Sequence, residues 1–153
     1  LSILDNLSLA YFVAKDTGLF VSVKEKIKRF VQYKKQMAIK SDSPALPITS
    51  LSGGNQQKVI VAKWLAIDAD VYLMDNPTQG IDIGAKFEIY KLIYDIARQG
   101  KAVIVFTNEY PEIRQLADTV LVLYKGRISG MLNRDNLSES AVMALSTGIS
   151  QIM

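Results

Sequence analysis

Two short apolar runs, VYLMD from Val71 to Asp75 and AVIVFT from Ala102 to Thr107, set the frame of this chain. Neither alternates with polar residues, which is the pattern of buried strands covered on both faces. Between them, Ile83 to Arg98 carries a polar stripe of Glu88, Lys91, Asp95 and Arg98 at i, i+3, i+7 and i+10. Asp82 is placed to cap that helix and Gly100 to end it. Strand, helix and strand of this kind predict a βαβ unit with parallel strands. Upstream the period is helical. Residues 1–21 are rich in apolar positions, predict a helix around Asp5 to Phe12, and end at a Gly-containing turn. In the segment that follows, Ser22 and Glu25 have the spacing of a capping box. Val23, Ile27, Phe30, Val31, Met37 and Ala38 there fall on one predicted helix face. SDSPALPITS, with two prolines, reads as a loop that separates a helical front part from the rest. Val59 to Ala66 is again apolar at helical length. Downstream, TVLVLY, then Lys125-Gly126, then RISGML predict a hairpin at the sheet edge. A closing helix capped by Ser138 follows, and there is no internal repeat or low-complexity tract.

Composition narrows the class without naming a function. The 153 residues, 49% hydrophobic and 22% charged, suit one ordinary globular domain with a core. A net charge of +3 is too mild to point to nucleic acid. The chain has no cysteine, which excludes disulfides and thiolate zinc sites, and no histidine. No apolar run reaches the ~18 residues of a membrane span, no signal peptide is recognised, and Leu1, which is not Met, is expected to be a cut end. Lys24, Lys26, Lys28, Arg29, Lys34, Lys35 and Lys40 make the second helical segment strongly basic. The plain reading is a solvated polar face; the sharper one is a face toward anionic lipid or an acidic partner.

The candidate chemistry sits in LSGGNQQK, Leu51 to Lys58. Two adjacent glycines open an apolar helix although glycine is a poor helix former. A helix start leaves about four backbone N–H groups unpaired, at the positive end of the macrodipole, and suits an anion such as a phosphate. Ser52 is a good N-cap with a hydroxyl to donate, and Gly53 and Gly54 let a ligand approach the backbone. On its own, S-G-G is equally a loop before a buried helix.

The surrounding residues resemble a known family. LSGGNQQK is similar to the signature motif of ATP-binding cassette (ABC) ATPases, usually written LSGGQ. DADVYLMDNPTQGIDIGAK resembles the Walker B strand with its D-loop, VIVFTNEYPE the segment carrying the switch histidine, and ADTVLVLYKGRISG the strands that follow. The order and spacing match over nearly the whole chain. NQQK with GIDIGAKFEIY behind it is similar to the second cassette of monosaccharide importers, in which two cassettes are fused. The resemblance implies an α/β fold: a partial P-loop NTPase core with parallel strands, an edge hairpin and a helical subdomain. Residues 1–48 would belong to that subdomain and residues 49–153 to the back half of the core. No G-x-x-x-x-G-K-[ST] occurs in the sequence, so the phosphate loop would lie upstream of Leu1.

Carried over residue by residue, Ser52, Gly53 and Gly54, with Gln56 nearby, would contact the γ-phosphate of an ATP held by the opposite cassette. Asp75 matches the Walker B acid that holds Mg²⁺, its plain alternative being a strand-end turn cap. Asp82 matches the D-loop acid at the dimer seam and can also be a simple N-cap. Two positions depart from the pattern. Asn76 stands where Glu normally polarises water, and Asn108 stands where the switch histidine falls. An amide orients water but has no accessible proton affinity, and Asn carries no positive charge. Glu109 and Glu112 lie near Asn108 and read more simply as surface carboxylates than as surrogate bases. The implied partners are a second cassette, fused or dimeric, transmembrane permease subunits and, indirectly, an extracytoplasmic sugar-binding protein, at the cytoplasmic face of the membrane. A sugar-importer ATPase using ATP and Mg²⁺ is one reading, with this chain alone expected to be inactive. A degenerate, non-catalytic nucleotide-binding module is the second. The NQQK variant and the lack of long basic insertions argue against a DNA-repair or translation cassette. An apolar sheet edge is expected to be exposed, with association as a consequence.

Overall fold

The computed structural model describes residues 1–14 and 22–148. The predicted Gly-containing turn, at Gly18, lies outside them. Six α-helices and four strands are present among the described residues: α1 (Ile3–Ala14), α2 (Val23–Gln36), α3 (Gly53–Leu65), β1 (Val71–Asp75), α4 (Ile83–Arg98), β2 (Ala102–Phe106), α5 (Tyr110–Leu116), β3 (Thr119–Tyr124), β4 (Arg127–Asn133) and α6 (Glu139–Ser146). They form two compact units, Leu1–Val105 and Phe106–Met153.

In the first unit α1 packs on both α2 and α3. Ile3, Leu7, Phe30, Tyr33, Met37, Ile39, Val59 and Ala62 are buried. Burial pushes the Tyr33 phenol above its usual pKa. Two members of the basic run face α1. Lys26 reaches Asp5 Oδ1 at 3.0 Å, and the Arg29 guanidinium lies 3.1 Å from the centre of the Tyr11 ring. The Ser2 hydroxyl bonds the Asp5 carboxylate at 2.7 Å and, with Lys26, holds it below the usual carboxylate pKa.

Two expectations for α2 fail. The Ser22 side chain makes no cap; its carbonyl instead accepts from the Glu25 and Lys26 amides, at 3.1 and 3.2 Å. The apolar residues also divide between two stripes. Phe30, Tyr33 and Met37, at i, i+3 and i+7, are buried. Val23, Ile27 and Val31, at i, i+4 and i+8, are exposed by 65%, 45% and 59%. With fewer than four residues per turn, six apolar positions spread wider than the stripe that packs against α1.

β1 and β2 pair in a parallel two-stranded sheet, with α4 as the connection, so the βαβ unit is present, β1 and α4 with their predicted bounds and β2 ending one residue earlier, at Phe106. Neither strand is covered on both faces. Tyr72 points inward, while Val71, Leu73 and Ile104 are exposed. The alternation of side chains across a strand puts those three on the second face, which no element of this unit covers among the described residues.

The second unit is a hairpin with α6 packed on it. β3 and β4 pair antiparallel from Thr119↔Asn133 to Tyr124↔Arg127, with an irregularity between Val122 and Leu123. Lys125 and Gly126 both have positive φ, 47° and 76°, which a tight two-residue hairpin turn requires. Ser138 caps α6 as predicted, accepting from the Ala141 amide at 3.2 Å. Leu145 of α6 sits where a Gly130 Cβ would be, 2.7 Å away, so the helix rides directly on the strand backbone. Helix α5 was not predicted. Its signal was Pro111 followed by Glu112 in the first turn.

Candidate functional site

The site is built around the starts of two helices. Ser52 is the N-cap residue of α3, with φ −61° and ψ 154°, but its side chain does not cap. Its hydroxyl accepts instead from the Asn55 side-chain amide at 2.9 Å. Asn55 Oδ1 in turn accepts from the Lys40 backbone amide at 2.8 Å. Gln56 donates its side-chain amide back to the Leu51 carbonyl at 2.8 Å, and its backbone N–H goes to Ser52 O. The amides of Gly53, Gly54 and Asn55 have no acceptor among the described residues. Ser52 and Gly53 are exposed. Here the predicted anion-binding end is open, and its own side chains are turned elsewhere.

The two glycines do different things. A Cβ on Gly53 would meet only ordinary contacts, Gly80 O and Ile81 Cγ2, both at 3.7 Å. A Cβ on Gly54 would lie 2.5 Å from the Ala85 methyl. Access therefore belongs to Gly53, while Gly54 serves close approach of α3 to α4.

Asp82, one turn before Ala85, is the N-cap of α4 and caps that helix with its own carboxylate, Oδ1 accepting from the Ala85 amide at 2.9 Å. The simple-cap reading of Asp82 is thus observed. Its turn also brings it beside the start of α3, because the neighbours of Gly53 are Gly80 and Ile81.

At the end of β1, exposed Asp75 accepts from the Asn76 side chain, Nδ2 to Oδ1, at 2.8 Å. Asn76 has φ 44°, a left-handed conformation that Asn tolerates better than Glu. The amide here neutralises demand on one carboxylate oxygen, where a second carboxylate would repel it. No group of three or more His, Cys, Asp or Glu that could hold a metal occurs among the described residues. The Asp75 carboxylate would suit a Mg²⁺ whose other ligands come from water and phosphate, with Oδ2 the oxygen that does not accept from Asn76.

Asn108 belongs to the second unit, exposed between β2 and α5, beside a turn in which the Glu109 amide donates to Thr107 Oγ1 at 3.1 Å. Glu112 is not a surface carboxylate: it is 1% exposed.

A cavity of about 290 Å³ lies elsewhere in the first unit, where α2, α3 and α4 end, lined by Tyr33, Leu65, Tyr72, Ile96 and Lys101. Its Lys101 ammonium is fastened to Asp68 at 3.1 Å and Asp70 at 3.3 Å, which raises the lysine pKa, Asp68 contributing most. It is at the far end of α3 from the open amides.

Sequence reasoning missed Asn55 and Lys58. Lys58 is 4% exposed, with Nζ 2.7 Å from Glu88 Oε2 of α4 and 3.3 Å from the Ala38 carbonyl. The signal was a lysine one helical turn after Gly54, on the face that packs.

Among known proteins, the chain is 39% identical over 147 residues to the ribose import ATP-binding protein RbsA of Halalkalibacterium halodurans, covering 96% of this chain and 30% of that protein. It is 41% identical over 140 residues to a putative ribose/galactose/methyl galactoside import ATP-binding protein of Burkholderia ambifaria, covering 92% of this chain and 27% of that one. The chain thus spans under a third of the length of these relatives. Among solved structures it resembles the ATP-binding cassette MJ0796, in a dimeric post-hydrolysis state bound to ADP and Pi, with a TM-score of 0.75 and 27% identity over 88% of this chain and 57% of that one. It shares its fold with a putative metal-chelate type ABC transporter in an inward-facing conformation, with a TM-score of 0.79 and 21% identity over 96% of this chain and 58% of that one. The sequence profile of the ABC transporter family matches residues 2–79, half of the chain, and ends just past the Asp75–Asn76 pair. Together with the open start of α3, the Asp82 cap on α4 and the βαβ unit, this places the chain in the ABC transporter family.

Proposed function

We propose that this chain is the signature-bearing part of a cassette that drives import of a monosaccharide such as ribose, with residues 1–48 in its helical subdomain and residues 49–153 in the back of its ATPase core. The observation that carries the reading is the open end of α3: three amides without an acceptor among the described residues, with Ser52 and Gly53 exposed, set beside a helix whose third amide, that of Ala85, is capped by Asp82. The names of the relatives, which are ribose and galactoside import ATP-binding proteins, supply the solute class. The ligand is an ATP γ-phosphate held by the phosphate loop of a second cassette. Gly53, Gly54 and Asn55 offer it N–H donors along the positive end of the helix, and the Ser52 hydroxyl is within the same turn. Asp75 holds the Mg²⁺ of the chain's own nucleotide, an ion that neutralises charge on the phosphate oxygens. Partners are that second cassette and transmembrane permease subunits at the cytoplasmic face of the membrane. No helix among the described residues is long and apolar enough to cross a membrane itself.

The two ATP sites of such a pair are unequal. Asn76 orients water and steadies Asp75 but takes no proton, and Asn108 carries no charge. Absence of a well-placed base removes about 10²–10⁴-fold in rate, so the site containing Asn76 binds nucleotide and the other hydrolyses it. Single-turnover phosphate release from the complete two-cassette protein tests this. One fast and one slow equivalent of phosphate is expected; two equally fast equivalents would rule it out. Asn76→Glu in the same protein is expected to quicken the slow equivalent. Alone, this chain is expected to hydrolyse no ATP and to bind it weakly, since partner groups make most contacts; micromolar binding of Mg-ATP by calorimetry would contradict that.

A further inference from the structure

Lys58 has no part in the phosphate and Mg²⁺ contacts proposed above, yet it is the most deeply buried charge on α3. A buried ammonium is unfavourable unless it is paired and hydrogen-bonded. Here the pairing joins three elements. Glu88 is on α4, and Ala38 is in the turn after α2, where it has φ 47°. The same turn is fastened to α3 a second time, by the Lys40 amide on Asn55. Gly54 and Lys58 are four residues apart on α3, while Ala85 and Glu88 are three apart on α4. The close approach of Gly54 to Ala85 and the Lys58–Glu88 pair are therefore successive rungs along one helix seam. An apolar residue at 58 would fill the space but would not select one register.

We propose that Lys58 is a positioning residue, which fixes the open amide end of α3 at one spacing from the Asp82 end of α4 and from the turn after α2. Both ends then face a partner's nucleotide as a preset pair, a consequence that rests on the functional reading above. Misplacement of such donors by about 1 Å lowers turnover by about 10²-fold.

The test has two arms. In this chain, hydrogen exchange is measured at the Lys40 and Gln56 amides, which are bonded to Asn55 and Ser52, and at Ile89 and Ile93 in α4. Lys58→Met keeps the bulk and removes the charge; Lys58→Arg keeps the charge. The expected result is exchange about tenfold faster at Lys40 and Gln56 in Lys58→Met, little change at Ile89 and Ile93, and recovery in Lys58→Arg. Exchange within about twofold of the parent, or a uniform rise at all four amides, overturns the proposal. Should Lys58→Met fail to fold, Glu88→Gln, whose side chain is half exposed, carries the same comparison. In the second arm, Lys58→Met in the complete two-cassette protein is expected to lower kcat by about 10²-fold with KM changed less than about threefold. Local loosening in the first arm with full turnover in the second would leave the clamp standing and sink the functional reading instead.

Discussion

Helices α3 and α4 start side by side and are finished in opposite ways. Both N-cap residues have nearly the same backbone, ψ 154° at Ser52 and 161° at Asp82. Asp82 uses its carboxylate on its own helix. Ser52 gives its hydroxyl to Asn55, and the first amides of α3 stay unpaired. Identical secondary structure therefore yields one end whose third amide is capped by its own N-cap side chain and one whose third amide, at Asn55, has no acceptor among the described residues. The difference lies in where a neighbouring side chain pulls the capping oxygen, which makes the open end a property of Asn55 and its Lys40 partner as much as of Ser52.

The strongest way to break this contrast is at the seam. Gly54→Ala forces a methyl against Ala85 and is expected to destabilise the chain by about 1–3 kcal/mol, as overpacking does. Gly53→Ala has room and is expected to change stability by less than about 1 kcal/mol. Denaturant melts of both variants check it; equal losses would mean that the seam does not depend on Gly54. Next in size, Asp82→Ala removes a cap and is expected to cost about 1 kcal/mol, whereas Ser52→Ala, which removes none, is expected to cost a few tenths. Thermal melts that rank these two the other way would show Ser52 to be an ordinary cap. The smallest effect concerns the support behind α3. Asp5, held low by Ser2 and Lys26, stabilises the α1–α2 contact above the usual carboxylate range. That contribution is lost as pH falls through its lowered pKa, and for a pair this exposed it is expected to be below about 1 kcal/mol. Comparing Asp5→Asn with the parent across pH 2–6 would read it, the difference vanishing at the acid end.

Much of this architecture was legible in the chain. α4 and β1 have their predicted bounds because Asp82, Gly100 and an uninterrupted VYLMD mark them. What was not legible follows from what periodicity leaves out. Period alone assigned six apolar residues, four of them in α2, to one face, but the contact with α1 admits only a narrow stripe, so Val23, Ile27 and Val31 face out. The unbroken apolar runs suggested strands covered twice, yet β1 and β2 are covered once among the described residues. At the site, the double glycine pointed to close approach without saying by what; the close approach at Gly54 is made by Ala85, a residue 31 positions away. Asn55 and Lys58 were missed because their partners, Lys40, Ala38 and Glu88, come together only through folding.

The central claim is that the amides at Gly53 to Asn55 grip a phosphate presented by a second cassette. Gly53→Glu tests it most directly, because Gly53 is exposed and has room for a side chain while a carboxylate there opposes an anion. In the complete two-cassette protein, with folding confirmed by an unchanged melt, the fast equivalent of phosphate release should fall by about 10²-fold or more. Release within about twofold of the parent would show that no phosphate meets this helix end.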